Sequence, residues 1–265
     1  MTLIEPFKRA WHHRELIRAV VRRELTSRFR ESLLGWVWAI FAPLAMLLAY
    51  TTIFSIAAPA VAKGVSIVDY AAASFCGLIL FNVFAELMAR APTLLHEHAQ
   101  FIKKSIFPSE TIAWTSTIRA MVYGSISFGT LLAVRLITVH SIPWTALLTP
   151  IVVIPFALLM LGTSWFLMAL GAFTRDVSHL MVSIVPLLMF GTPVFFSIEQ
   201  LPANFQPWVR LNLVGDFIGM LRDLVIYARL PDPLLYVACC IASYAVFLFG
   251  YRFFNEYKTV IVDVI

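Results

Sequence analysis

Charge is what this sequence has least of. Asp, Glu, Lys and Arg make up 13% of its residues, against roughly a quarter in an ordinary soluble domain. The deficit is uneven: between Ser32 and Ala62 there is no charged side chain at all. With 60% hydrophobic residues and a mean hydropathy of +0.85, these runs exceed what a soluble core needs, since about 20 apolar residues cross the hydrocarbon layer of a bilayer. The pattern excludes a soluble domain and predicts an integral membrane protein.

Other absences narrow the class further. Alternating-polarity segments of about ten residues are missing, which excludes barrel strands and leaves helices, whose backbones satisfy themselves inside lipid. No Gly-x-x-x-x-Gly-Lys-Ser/Thr occurs, so the chain has no phosphate-cradling loop with which to bind ATP. Its three cysteines, Cys76, Cys239 and Cys240, fall inside predicted spans, spaced neither as a disulfide framework nor as a metal site, and read as small core residues. His96-Glu97-His98 reads as a solvated loop, because alternate positions do not share a helix face and no third ligand lies nearby. Residues 1–31 are too charged for a signal peptide, so the first span is expected to insert the chain.

The charge-poor runs predict six crossings, at 34–58, 70–88, 112–136, 147–173, 179–197 and 234–254. Lys8, Arg9, Arg14, Arg18, Arg22, Arg23, Arg28 and Arg30 precede the first of them. Positive flanks stay inside, so both termini are expected in the cytoplasm, together with the loop carrying Arg90, Lys103 and Lys104 and the turn at Arg175. The net charge of +5 then reports topology rather than nucleic-acid binding. Arg119 and Arg135 fall near opposite ends of the third span, where snorkelling is expected, and no buried Asp or Glu is expected in any span. That argues against a carrier driven by an ion gradient, which keeps working charges in its bundle.

Three segments stand apart from the spans. Leu16, Ile17, Val20, Val21 and Leu25 fall on one side of a helix and Glu15, Arg18, Arg22 and Arg23 on the other, the pattern of a helix lying in the membrane interface. The loop from Arg90 to Ser109 mixes apolar and basic residues at helical spacing over 94–107, a suitable rigid lever between two membrane helices. The stretch 198–232 is too polar to cross and too apolar to float free. It reads as an external re-entrant hairpin, since half-length elements at membrane depth must be buried in protein or line a cavity.

Arg28-Phe-Arg-Glu-Ser-Leu-Leu-Gly-Trp-Val-Trp-Ala-Ile-Phe-Ala-Pro43 resembles the entry signature of the type 2 ATP-binding-cassette permeases that export bacterial O-antigen, capsule and teichoic acid. Phe101-Ile-Lys-Lys-Ser-Ile-Phe-Pro108 is similar to that family's first cytoplasmic loop and Thr174-Arg-Asp-Val177 to its second. Thr192-Pro-Val-Phe-Phe-Ser197, Leu201-Pro202, Asn212 and Arg222 resemble its fifth span and external re-entrant helices. The family often has proline after this asparagine, where the chain has Leu213. The motifs run in the family's order along nearly the whole chain.

The resemblance implies a single permease domain over 1–265. It is all-α, with a cytoplasmic segment 1–31 carrying the interface helix, a six-span bundle 34–254, an external gate hairpin 198–232 and a cytoplasmic tail 255–265. It implies a homodimer with two copies of a P-loop ATPase, which hold the ATP and magnesium, and no cofactor, metal or catalytic residue on this chain. ATPase coupling falls to Arg22, Arg23, Phe101, Lys103, Lys104, Phe107, Arg175 and Asp176, and the external gate to Pro202, Trp208, Asn212 and Arg222. Aromatic faces suit sliding sugar rings, and Tyr50, Phe54, Phe81, Phe84, Phe195 and Phe196 are candidates for the channel. The expected cargo is a lipid-linked polysaccharide crossing the bacterial inner membrane. The alternatives are a type 2 exporter of an amphipathic drug or another lipid, or an intramembrane enzyme. For the last, Gly162-Thr-Ser164-Trp-Phe166 breaks the serine-nucleophile pattern, and a transferase would want clustered carboxylates or a buried histidine.

Overall fold

The computed structural model describes residues 4–27, 35–57, 66–103, 108–196, 198 and 201–264. These residues form helices α1 (Glu5–His12), α2 (Arg14–Ser27), α3 (Val37–Ala57), α4 (Ile67–Arg90), α5 (Leu94–Glu97), α6 (Ala99–Lys103) and α7 (Thr111–Val139). They continue as α8 (Thr149–Phe173), α9 (Asp176–Gly191), α10 (Gln206–Val209), α11 (Leu213–Val225) and α12 (Pro233–Val264), with no strand among the described residues. Among the described residues, four apolar helical stretches are long enough to cross a membrane: Ile67–Glu97, Thr111–Val139, Trp144–Phe173 and Pro233–Ile261. The first and fifth expected spans correspond to shorter apolar stretches, Val37–Ile53 and Asp176–Gly191. The 16 residues of α9 rise about 24 Å, less than the ~30 Å of hydrocarbon.

Side-chain bonds fix how the long helices alternate. At one end Glu110, which precedes α7, takes Lys258 of α12 at 2.6 Å and Arg9 of α1 at 3.0 Å, and Trp165 of α8 donates Nε1–H to the Glu110 carbonyl. At the other end Arg135 of α7 reaches Asp69 of α4 at 3.3 Å, and Tyr236 of α12 donates to the Ile151 carbonyl of α8. The α4–α7 pair is therefore antiparallel, whereas α8 and α12 run parallel.

Helix α4 is the centre, buried without a break from Ala71 to Phe81. A helix apolar and buried all round is a core helix rather than a one-faced one, and α3, α7, α8, α9 and α11 pack against it. Helices α8 and α12 meet at Gly162 and Gly250, where a methyl on either would overlap the backbone opposite. Small residues permit such approach in membranes, where packing drives association. Trp165, Phe247 and Tyr251 close around the same seam.

Several boundaries differ from the sequence reading. The fifth helix stops at Gly191 rather than 197, because Thr192 turns extended ahead of Pro193. The stretch 255–264, expected as a tail, continues α12 as helix. The lever 94–107 breaks at His98, where the backbone leaves helical geometry and Nδ1 lies 2.9 Å from the Leu94 carbonyl. Its leucines, Leu94 and Leu95, are fully buried and fasten the segment to the bundle.

Candidate functional site

Helix α2 packs on α7 through the side the periodicity selects, with Ile17 and Val21 buried. Glu24 follows Val21 by three positions and shares that face. Its carboxylate lies 3.1 Å from Arg119 of α7, 3.6 Å from Arg90 of α4 and 3.8 Å from His98 Nε2. Arg119 also reaches Glu86 of α4 at 2.8 Å, and Arg90 reaches Glu97 at 3.0 Å. One ionic network thus joins α2, α4, α5 and α7. Arg119 is thus ion-paired rather than snorkelling, as is Arg135 with Asp69 at the other end of α7, and the partner of Arg119, Glu86, sits half-buried within the second span. A charge at such depth persists when paired.

Glu110 makes a second junction at the same end, joining α1, α7, α8 and α12 as described above. Burial alone would raise its carboxyl, but the Lys258 ammonium and the Arg9 guanidinium outweigh it and hold the group below the usual carboxylate range.

The expected coupling residues surround these junctions. Arg22 and Arg23 lie on the exposed side of α2, away from any carboxylate within 4.0 Å among the described residues. Arg175 and Asp176 form the exposed turn between α8 and α9. Gly171 packs against the Pro92 backbone, which brings that turn beside the α5–α6 segment. Phe101 and Lys103 fall within α6, with side chains outside the description, and Lys104 and Phe107 lie outside the described residues.

The expected channel aromatics form two groups. Tyr50 and Phe195 pack at a tilt with centroids 5.5 Å apart, and Tyr70 donates to the Phe195 carbonyl at 2.6 Å. Phe81 and Phe84 pair at 5.7 Å, eleven residues further along α4 and hence about 16 Å away. Phe81 is buried in the core and Phe84 half-buried. Phe196 offers its carbonyl to Arg222, and the side chain of Phe54, in α3, is outside the description.

The expected gate residues divide as well. Asn212 caps α11 by accepting from Val214 N–H and Gly215 N–H, while its amide donates to Thr192 at 2.8 Å. The helix therefore starts at Leu213 without the proline common in the family. Arg222 is buried and donates to the carbonyls of Ala73, Phe196 and Val194. Gly77 leaves the room, since a Cβ there would stand 2.9 Å from the guanidinium. Both are fasteners of α11 to α4 and α9. Pro202 and Trp208, by contrast, are exposed around α10.

Glu24, Glu86 and Glu110 were missed as site residues. The usable signals were a carboxylate on the apolar side of α2, an acid within an apolar span, and a basic residue, Lys258, on the last helix in need of a partner.

The family described as "ABC-2 type transporter" matches residues 15–225 of this sequence. The chain is similar to the O-antigen export system permease protein RfbA of Myxococcus xanthus, at 22% identity over 240 residues, covering 89% of this chain and 90% of that one. It is also similar to two proteins of the same name from Klebsiella pneumoniae. One is 22% identical over 212 residues (79% of this chain, 80% of that one) and the other 22% over 246 (92% of each).

Proposed function

This chain belongs to the ABC-2 type transporter family, and on that premise we propose that it is the membrane subunit of an ATP-driven exporter of lipid-linked polysaccharide in the bacterial inner membrane. The observation that carries the proposal is full-length similarity to proteins named O-antigen export permeases, with about nine-tenths of both chains covered in two of the three cases. In this reading the end with Glu24 and Glu110 is cytoplasmic, both termini lie there, and the chain crosses six times, with α3 and α9 as the first and fifth spans.

The chain has no phosphate-binding loop of its own, so ATP and magnesium sit on a separate P-loop ATPase, two copies of which serve a permease homodimer. The ATPase docks on the exposed arginines of α2, the α5–α6 segment through Pro108 and the turn at Arg175 and Asp176. The network around Glu24 suits transmission, because displacement of α2 or α5 is carried by ion pairs into α4 and α7 rather than absorbed by a loop. The stretch 198–232 closes the external end as a re-entrant hairpin. Glycan passes between protomers over the Tyr50–Phe195 and Phe81–Phe84 aromatics.

Purification from native membranes in mild detergent tests this reading. A P-loop ATPase recovered in stoichiometric amount is expected by mass spectrometry. A permease that arrives alone under several gentle conditions, and stimulates no added ATPase, overturns it.

A further inference from the structure

A crevice of about 410 Å³ opens between α3, α4 and α7 in the half of the bundle nearer Glu24. Its size falls in the range of about 300–1,000 Å³ typical of small-molecule sites. Apolar wall comes from Trp38 and Ala42 of α3, but Asn82 and Glu86 face it from α4, and Tyr123 and Ser127 from α7. Asn82 is exposed into this space, and its amide has no hydrogen-bond partner among the described residues. Polar side chains at membrane depth are costly, and the described residues draw no hydrogen bond from this one.

The donor set indicates what it would hold. Glu86 is already paired with Arg119 at 2.8 Å, so its net pull on a cation is weak, and a carboxylate accepts several hydrogen bonds at once. Among the described lining residues a phosphate would meet a carboxylate and no cation. An amide, a carboxylate and hydroxyls beside an indole face suit an uncharged polyol ring, which takes hydrogen bonds at its rim and packing on its C–H face.

We infer that this crevice is a sugar subsite, in which Asn82 and Glu86 bind ring hydroxyls of the transported glycan against Trp38. The inference deepens the exporter reading and rests on it. Because Arg119 is shared by Glu86 and Glu24, a sugar at Glu86 bears directly on the ion pair that holds α2.

A benzophenone amino acid in place of Ala42, irradiated in host cells that make their surface glycan, tests it, with adducts read by periodate–hydrazide glycan stain and mass. The expected result is a glycan adduct that Asn82→Ala weakens about tenfold, the worth of one or two hydrogen bonds, at unchanged permease abundance in the membrane. Asn82 makes no hydrogen bond among the described residues, so the variant removes no bond of the described fold, and the unchanged membrane abundance checks its folding. A glycan adduct indifferent to Asn82→Ala, or adducts only of lipid or amphipathic cations, overturns the subsite. If deletion of the chain strips the cell surface of glycan while Ala42 yields no glycan adduct, the subsite falls and the exporter reading stands. If surface glycan survives deletion, both fall.

Discussion

Arg222 keeps its charge inside an apolar bundle because three backbone carbonyls converge on the guanidinium and Gly77 makes room for it. Removing one partner of a buried charged hydrogen bond costs more than the bond's net worth, since the other partners are left unsatisfied. Arg222→Ala is expected to cost about 2–4 kcal/mol and to lower the melting midpoint of the purified protein by roughly 5–10 °C. An unchanged midpoint would place Arg222 outside the core. Glu110 makes a prediction of opposite character. Its folded pKa lies below its ordinary value of 4.5, so its contribution to stability is complete above that value and is lost as pH falls through the lower, folded one. Acidification below about pH 4.5 should therefore release α1, read as faster hydrogen exchange over residues 5–12, and Glu110→Gln should show that release already at neutral pH.

Elements rather than residues explain what the sequence reveals. Long apolar runs needed no tertiary information, and α4, α7, α8 and α12 lie where hydropathy placed them. The amphipathic side of α2 was equally legible, because Ile17 and Val21 obey a 3.6-residue period. What stayed hidden depends on neighbours distant in sequence. The break at His98 reflects bonds within the segment and the approach of Glu24, seventy-four residues earlier in the chain, and Arg119 reads as a snorkelling end-residue until Glu86 is brought beside it. Asn212 and Arg222 were legible as motif positions but not as fasteners. The α8–α12 seam was not legible either: Gly162 and Gly250 are ordinary glycines until their backbones touch. Gly250→Leu should force those helices apart and remove most folded protein from the membrane, measured by fluorescence-detected gel filtration. Glu24→Ala should act locally, speeding exchange over residues 14–27 about fivefold or more for each kcal/mol lost, with α8 and α12 unaffected. Uniform acceleration along the chain would show that α2 is not separately held.

At the scale of the whole molecule, the ion-paired end and the fastened end have different roles. The Glu24 and Glu110 junctions gather helices α1, α2, α4, α5, α7, α8 and α12 at the proposed cytoplasmic side, where an ATPase would push. The Arg222 and Asn212 bonds hold α11 within the opposite end, where a gate would have to yield. Transport in this reading requires that movement imposed at the first end reach the second through α4, the helix both networks share. Glu24→Ala is accordingly expected to leave the ATPase bound while ATP hydrolysis no longer responds to glycan, a loss of coupling rather than of assembly.

Deletion of the chain in its host, followed by localisation of the lipid-linked glycan, tests the central claim most directly. Bare cells are expected, with glycan accumulating on the cytoplasmic face of the inner membrane, reversed by the intact chain but not by the chain without its ATPase. Normal surface glycan in the deleted strain, with no cytoplasmic accumulation, would contradict it.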